Sequence, residues 1–213
     1  MPTRRQFIEQ VRRQIYGSQP SNDAEITVQL VNQWLNQAIG YAAKQNYTDS
    51  LKLDGIAYVN NSFYTTYKSL AVTNNEQFLW RITLPEVPVG IGYNQGAETL
   101  IFKDSDSNQL SYPVIWLSQN QRSFQRGMRE IPNKILAYLE GTYVYVMSTL
   151  MLSDYTAQVT MVSGGDSTDL DSVLNVPPDY FIVMTEYLKT QLMFQRQVPV
   201  DSTNDGADTI TTT

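Results

Sequence analysis

Apolar residues in the first fifty positions recur at helical spacing. Thr3 and Gln6 form a capping-box start, and Phe7, Ile8, Val11 and Ile15 then fall three or four residues apart until Gly17. This predicts a first helix with Arg4, Arg5, Arg12 and Arg13 on its other face, either solvated or facing an acidic neighbour. After "GSQPS", Asn22 with Glu25 predicts the cap of a second, longer helix. Its stripe is Leu30, Val31, Trp34, Leu35, Ala38, Ile39 and Ala42. Such a stripe is a packing face, and burying Trp34 and Leu35 contributes roughly 2 to 3 kcal/mol each.

From about Tyr58 the period changes. "FYTTYKSLAV" and "FLWRITL" are rich in β-branched and aromatic residues, and "LPEVPVGIGYNQG" separates strands with breakers. "TLIFK" and "SYPVIWL" flank "DSDSNQ", which reads as a hairpin loop. Ser118 with Gln121 predicts a short helix through Met128, carrying a candidate basic cluster of Arg122, Arg126 and Arg129. "NKILAYLE", Gly141 and "TYVYVMS" form a second hairpin. "YTAQVTMVS" alternates Tyr155, Ala157, Val159 and Met161 against Thr156, Gln158 and Thr160, so the middle reads as antiparallel β. The polar loop "GGDSTDLDS" leads to a last helix with proline in its first turn and Phe181, Met184, Leu188 and Leu192 on one face. There is no internal repeat.

The predicted fold class is α+β: a helical bundle, built from the N-terminal helix pair and the C-terminal helix, with an inserted antiparallel β domain. The boundaries are 1–50 for the N-terminal helices, 51–175 for the β-rich insertion, 176–197 for the C-terminal helix and 198–213 for an extended acidic tail. Beyond Val198 the apolar anchors are only Val198, Val200 and Ile210, and Pro199 breaks a helix. That tail cannot order itself alone.

Composition narrows the chemistry. With 213 residues, 42% apolar and 11% aromatic, the chain has ample material for a core. A net charge of −6 argues against a general nucleic-acid binder. No stretch is long and apolar enough for a membrane span, and the N-terminus has charge but no apolar core of a leader, so the expectation is a soluble, unprocessed chain. The absence of Cys removes disulfides, thiolate metal sites and a cysteine nucleophile. The absence of His removes the commonest general base and metal ligand. Eighteen Gln and fourteen Asn supply hydrogen-bonding surface without charge, which suits protein contacts better than turnover.

Three stretches invite a chemical reading and fail it. "DSDSN", Asp104 to Asn108, begins like a calcium loop, but the sixth position is Gln109 rather than Gly and the twelfth is Ile115 rather than Glu. "GIGYNQG" has a misplaced third glycine and no βαβ context for a phosphate turn. Asp166, Asp169 and Asp171 sit in a Gly-, Ser- and Thr-rich connection where carboxylates face water. The expectation is therefore a protein that is not an enzyme and uses no cofactor or metal.

The order "TRRQFIEQVRRQI", "WRITLPEVPVGIGYNQGAETLIFK", "YPVIWLSQNQ", "ILAYLEGTYVYV" and "VPPDYFIVMTEYLKTQLMFQRQVPVDSTNDGAD" resembles the small head-to-tail connector proteins of tailed bacteriophages, closest to those of crAss-like phages. The most specific parts are Leu84 to Gly92 and the P-P-D-Y helix with its Pro-Val-Asp and Asn-Asp tail. The resemblance implies a structural virion protein at the head-to-tail interface, assembled in the host cytoplasm. Its partners would be itself in a twelvefold cyclic ring, the portal protein, and other connector-ring or tail proteins. Genomic DNA would pass through the lumen without sequence-specific binding, and no membrane is involved. Charge polarity suits a ring of unlike contacts: Arg4, Arg5, Arg12 and Arg13 at one end, and Val200, Asp201, Asp205, Asp208 and Ile210 as an acidic arm at the other. The alternative is a carbohydrate- or receptor-binding β domain of a tail-associated protein, stacking sugars on Trp80, Trp116, Tyr138, Tyr143 and Tyr145.

Overall fold

Thr3 starts the first helix, α1 (Arg4–Tyr16): its hydroxyl accepts from the Gln6 amide, and the Gln6 side chain reaches back to the Thr3 amide. Gly17 ends it in the left-handed region. The computed structural model describes residues 1–17, 26–91, 96–118, 121, 134–164 and 168–197. The second helix, α2 (Val28–Asp54), is capped by Thr27, whose hydroxyl accepts from the Leu30 amide, rather than by Asn22, which lies outside the described residues with Glu25. It also runs past the expected boundary at residue 50, into the segment assigned to the β-rich insertion, and ends at a left-handed Gly55. The last helix, α3 (Tyr180–Gln197), follows Pro177 and Pro178 and turns Met184, Leu188 and Leu192 wholly inward.

The strands are β1 (Tyr64–Glu76), β2 (Leu79–Thr83), β3 (Ala97–Lys103), β4 (Val114–Trp116), β5 (Ile135–Glu140), β6 (Tyr143–Met147) and β7 (Thr156–Val162). They form one seven-stranded sheet in the order β3-β7-β1-β2-β6-β5-β4. β1 is its spine. The first half pairs with β7, from Tyr64 opposite Val162 to Ala71 opposite Thr156, and the second half pairs with β2. Between Tyr67 and Leu70 the register shifts, and Ser69 there takes a positive φ of 57°. An irregularity of this kind bends a strand and lets one chain serve two parts of a sheet.

Two expectations about the sheet are corrected. "TLIFK" and "SYPVIWL" flank a turn that does fold back, Asp104 donating to the Asn108 carbonyl at 3.1 Å and Leu110 to Phe102 at 2.9 Å around the bridge of Lys103 to Gln109, but they do not go on to pair as strands: β3 pairs with β7. The middle is also not wholly antiparallel, because β4 runs parallel to β5, with Val114 opposite Ile135. Just before β4 stands Pro113, which has no amide hydrogen to donate to a ladder, and the antiparallel pairing with β3 does not continue past Leu110. The edges β3 and β4 nevertheless meet, the Trp116 indole N–H donating to the Glu98 carbonyl at 3.3 Å. The sheet is curled over its own interior.

That interior holds Trp80, Ile82, Phe102, Leu139, Val144 and Val159, the alternating inward residues of five strands. A second core lies where the helices meet: Phe7, Ile8 and Val11 of α1, Leu35 and Ile39 of α2, and Met184 and Leu188 of α3. Val162 of β7 belongs to this helical core, so the last strand joins the two layers. The N-terminus is tied in through backbone. The Arg4 and Arg5 amides, in the first turn of α1 where the helix supplies no acceptor, donate to Ser172 and Leu170 at 2.9 and 2.7 Å, and Leu174 donates to Pro2 at 3.2 Å. Among the described residues the protein is thus a mixed α and β structure of three α-helices and one seven-stranded sheet.

Candidate assembly surface

Arg4 and Arg12 do not lie on the outer face of α1. At 100° per residue Arg4 falls among Ile8, Val11 and Ile15, in the middle of the apolar stripe, and its side chain is 1% exposed. Its guanidinium spreads over carbonyl oxygens: Nε donates to Asn32 Oδ1 at 2.5 Å, Nη1 to the Gly164 carbonyl at 2.7 Å, and Nη2 to Asn36 Oδ1. One planar group thereby joins α1, α2 and the end of β7, a task that suits the fixed fork of arginine. A Cβ at Gly164 would run into the Asn36 side chain, so a larger residue there displaces one of the Arg4 acceptors. Arg12 is buried too, donating to the Ile26 carbonyl at 3.0 Å and to Glu9 at 3.1 Å. Two of the four predicted contact arginines are therefore engaged within the chain itself. The place of Arg4 in the stripe was readable from the spacing, whereas Arg12 falls at its edge beside the exposed Arg5.

Arg5 and Arg13 do face outward. They line a groove of about 650 Å³ along α1 with Gln6, Glu9, Gln10 and Gln14. Arg5 is already engaged, its Nε donating to Asp171 at 2.9 Å, and the hydrogen bond and charge of that carboxylate raise the guanidinium above its ordinary pKa. Asp171 is thus an arginine partner within the chain, while Asp169 accepts from the Asp171 amide at 3.0 Å. Val200, Asp201, Asp205, Asp208 and Ile210, the cluster of Arg122, Arg126 and Arg129, and Asp166 lie outside the described residues.

The "DSDSN" loop spends its first carboxylate on itself. Asp104 accepts from the amides of Asp106 and Asn108 at 3.0 and 2.8 Å and from the Asn108 side chain at 3.2 Å. The backbone and side chain of Asn108 hold the carboxyl below its ordinary pKa. Oxygens engaged in this way close a turn rather than surround a cation. No group of three or more Asp, Glu, His or Cys side chains suited to a metal occurs among the described residues.

A second surface went unpredicted. The end of α2 and the chain after it, "SLKLDGIAY", expose Leu51, Leu53, Ile56 and Tyr58, with Leu53 84% and Ile56 68% accessible. Leu53 keeps the helical phase of Leu35, yet α2 has by then run beyond its packing partners. Just inside, Asn46 anchors the helix, donating to the Tyr180 hydroxyl at 3.0 Å and accepting from the Asn60 amide at 2.8 Å. Against known proteins, the chain matches no family model and no curated sequence. The geometry of its surfaces therefore bears the functional argument.

The aromatic residues considered for sugar stacking are divided. Trp80 and Tyr138 are buried. Tyr145 stacks on Tyr138 at 5.1 Å, and the exposed Tyr143 carries the Arg81 guanidinium 5.2 Å from its ring centre. Faces occupied in this way offer little room for a pyranose ring.

Proposed function

We propose that this chain is a structural subunit of a cyclic ring, a head-to-tail connector of a tailed phage, extending the DNA channel between portal and tail and giving tail components a docking surface. In this reading the three helices form a bundle and the β-rich segment is its insertion. The observation that carries the proposal is the pairing of unlike open surfaces on one subunit. α1 offers a polar groove with Arg5 and Arg13, and the end of α2 offers Leu51, Leu53 and Ile56. A closed ring is built from such unlike contacts, each subunit meeting the next with a different face. Exposed apolar residues gathered on one short stretch mark a surface that is covered in use. The net charge of −6 adds that DNA in a lumen would meet mainly repulsion and slide.

The test is mass photometry and negative-stain microscopy of the purified chain, alone and with a portal ring. The expected result is a closed ring under at least one condition. A particle that stays monomeric in both, at micromolar concentration, would overturn the proposal.

A further inference from the structure

Beside the apolar end of α2 lies a cavity of about 260 Å³. Tyr47 of α2, Tyr58 of the following loop and Tyr64 at the start of β1 line it, together with Glu98 of β3, and the buried Ile91 and Val162 contribute apolar wall. No Lys or Arg is among its described lining residues, and Glu98 has no ion-pair partner among the described residues. The Tyr58 hydroxyl donates to Asp54 at 3.1 Å, bringing a second carboxylate to the same side.

We infer that this cavity is a receptor for an arginine side chain presented by another polypeptide. Three tyrosines beside an uncompensated carboxylate suit a cation: ring faces attract it through their quadrupole, and Glu98 offers a charged acceptor for a guanidinium edge. The volume takes a planar guanidinium and part of its stem. Burial and the charge of Glu98 raise the Tyr64 hydroxyl above its ordinary pKa, in keeping with a site whose field is negative. The occupant arrives on a polypeptide because exposed apolar surface adjoins the site: Tyr58, which lines it, is half exposed, and Ile56, two residues earlier in the chain, is largely exposed. A free ion would leave that rim in water, whereas a protein chain covers it. The inference does not require that the subunits close into a ring.

NMR on the full chain with ¹³C-labelled tyrosine rings tests it, using N-acetyl-arginine methylamide as probe and the neutral, similarly shaped N-acetyl-citrulline methylamide as control. Assignment comes from Y47F, Y58F and Y64F. The expected result is a saturable shift of these three tyrosines with the arginine compound and at least about tenfold weaker binding of citrulline. Glu98→Gln should weaken the arginine compound by roughly three- to tenfold. It should leave the melting temperature unchanged, because Glu98 is exposed and unpaired among the described residues. Equal affinity for the two compounds, an unaffected Glu98→Gln variant, or no saturable shift up to about 50 mM would each overturn it.

Discussion

At the scale of single residues, Arg4 and Arg5 are neighbours in sequence with opposite weights. Truncating Arg4 to Met removes the one donor shared by the part-buried Asn32, Asn36 and Gly164 oxygens, and acceptors that lose such a donor are costly. Arg4→Met should lower stability by about 3 kcal/mol, read as a fall in melting temperature of roughly 6 to 12 °C. Arg5→Ala removes only an exposed pair with Asp171 and should leave the melting curve nearly in place. Asp104 supplies a pH prediction. Its folded pKa lies below the unfolded value, so its contribution is complete above the unfolded pKa and is lost as pH falls through the folded one. The Asp104 carboxyl carbon should titrate below ordinary aspartates, and amide exchange at Asp106 and Asn108 should speed up over the same acidic range. Tyr64 works in the other direction. Its raised pKa adds stability that is present below pH 10 and fades as pH rises beyond it, so Tyr64→Phe should flatten the alkaline limb of the stability curve.

Among elements, the seam between helices and sheet is set by backbone approach. Gly96 has a φ of 78°, and its position leaves no room for a Cβ against the Val89 carbonyl. The surrounding chain is fixed to β7 from both sides, Val89 donating to Val162 at 2.9 Å and Val162 donating to Gly96 at 2.8 Å. Gly96→Ala should therefore cost about 2 to 4 kcal/mol in chemical denaturation, combining left-handed strain with displacement of the Val89 segment. Gly164→Ala acts at a distance through Asn36, which it pushes off the Arg4 guanidinium. Its effect should be largely absent in an Arg4→Met background, because the two changes break one network.

In the whole molecule the exposed faces of α1 and of the end of α2 bear on association rather than on folding. Leu53→Ser with Ile56→Ser removes exposed apolar area and should leave thermal stability within about 0.5 kcal/mol. If the ring reading holds, the same double variant shifts mass photometry from ring to monomer. Arg5→Glu with Arg13→Glu should do so through the exposed face of α1, as should deletion of residues 198–213. An assembly indifferent to all three would place the contacts elsewhere. The described residues contain no helix long and apolar enough to cross a membrane.

Local patterning by itself determined much of the secondary structure. The Thr3 capping box, the α2 stripe, the Ala157-Val159-Met161 alternation and the Gly141 hairpin each depend on neighbours within a few residues, and each stands where the spacing put it. The place of Arg4 in the stripe was equally legible, although its charge argued for the surface. Only the tertiary structure decided that the charge would be buried, because its acceptors come from residues 32, 36 and 164, far away along the chain. The same holds for the parallel β4–β5 pair, the open end of α2 and the tyrosine cavity. Strand order, helix overhang and cavity walls are relations among distant segments, fixed by which surfaces pack together and not by the period of any one of them.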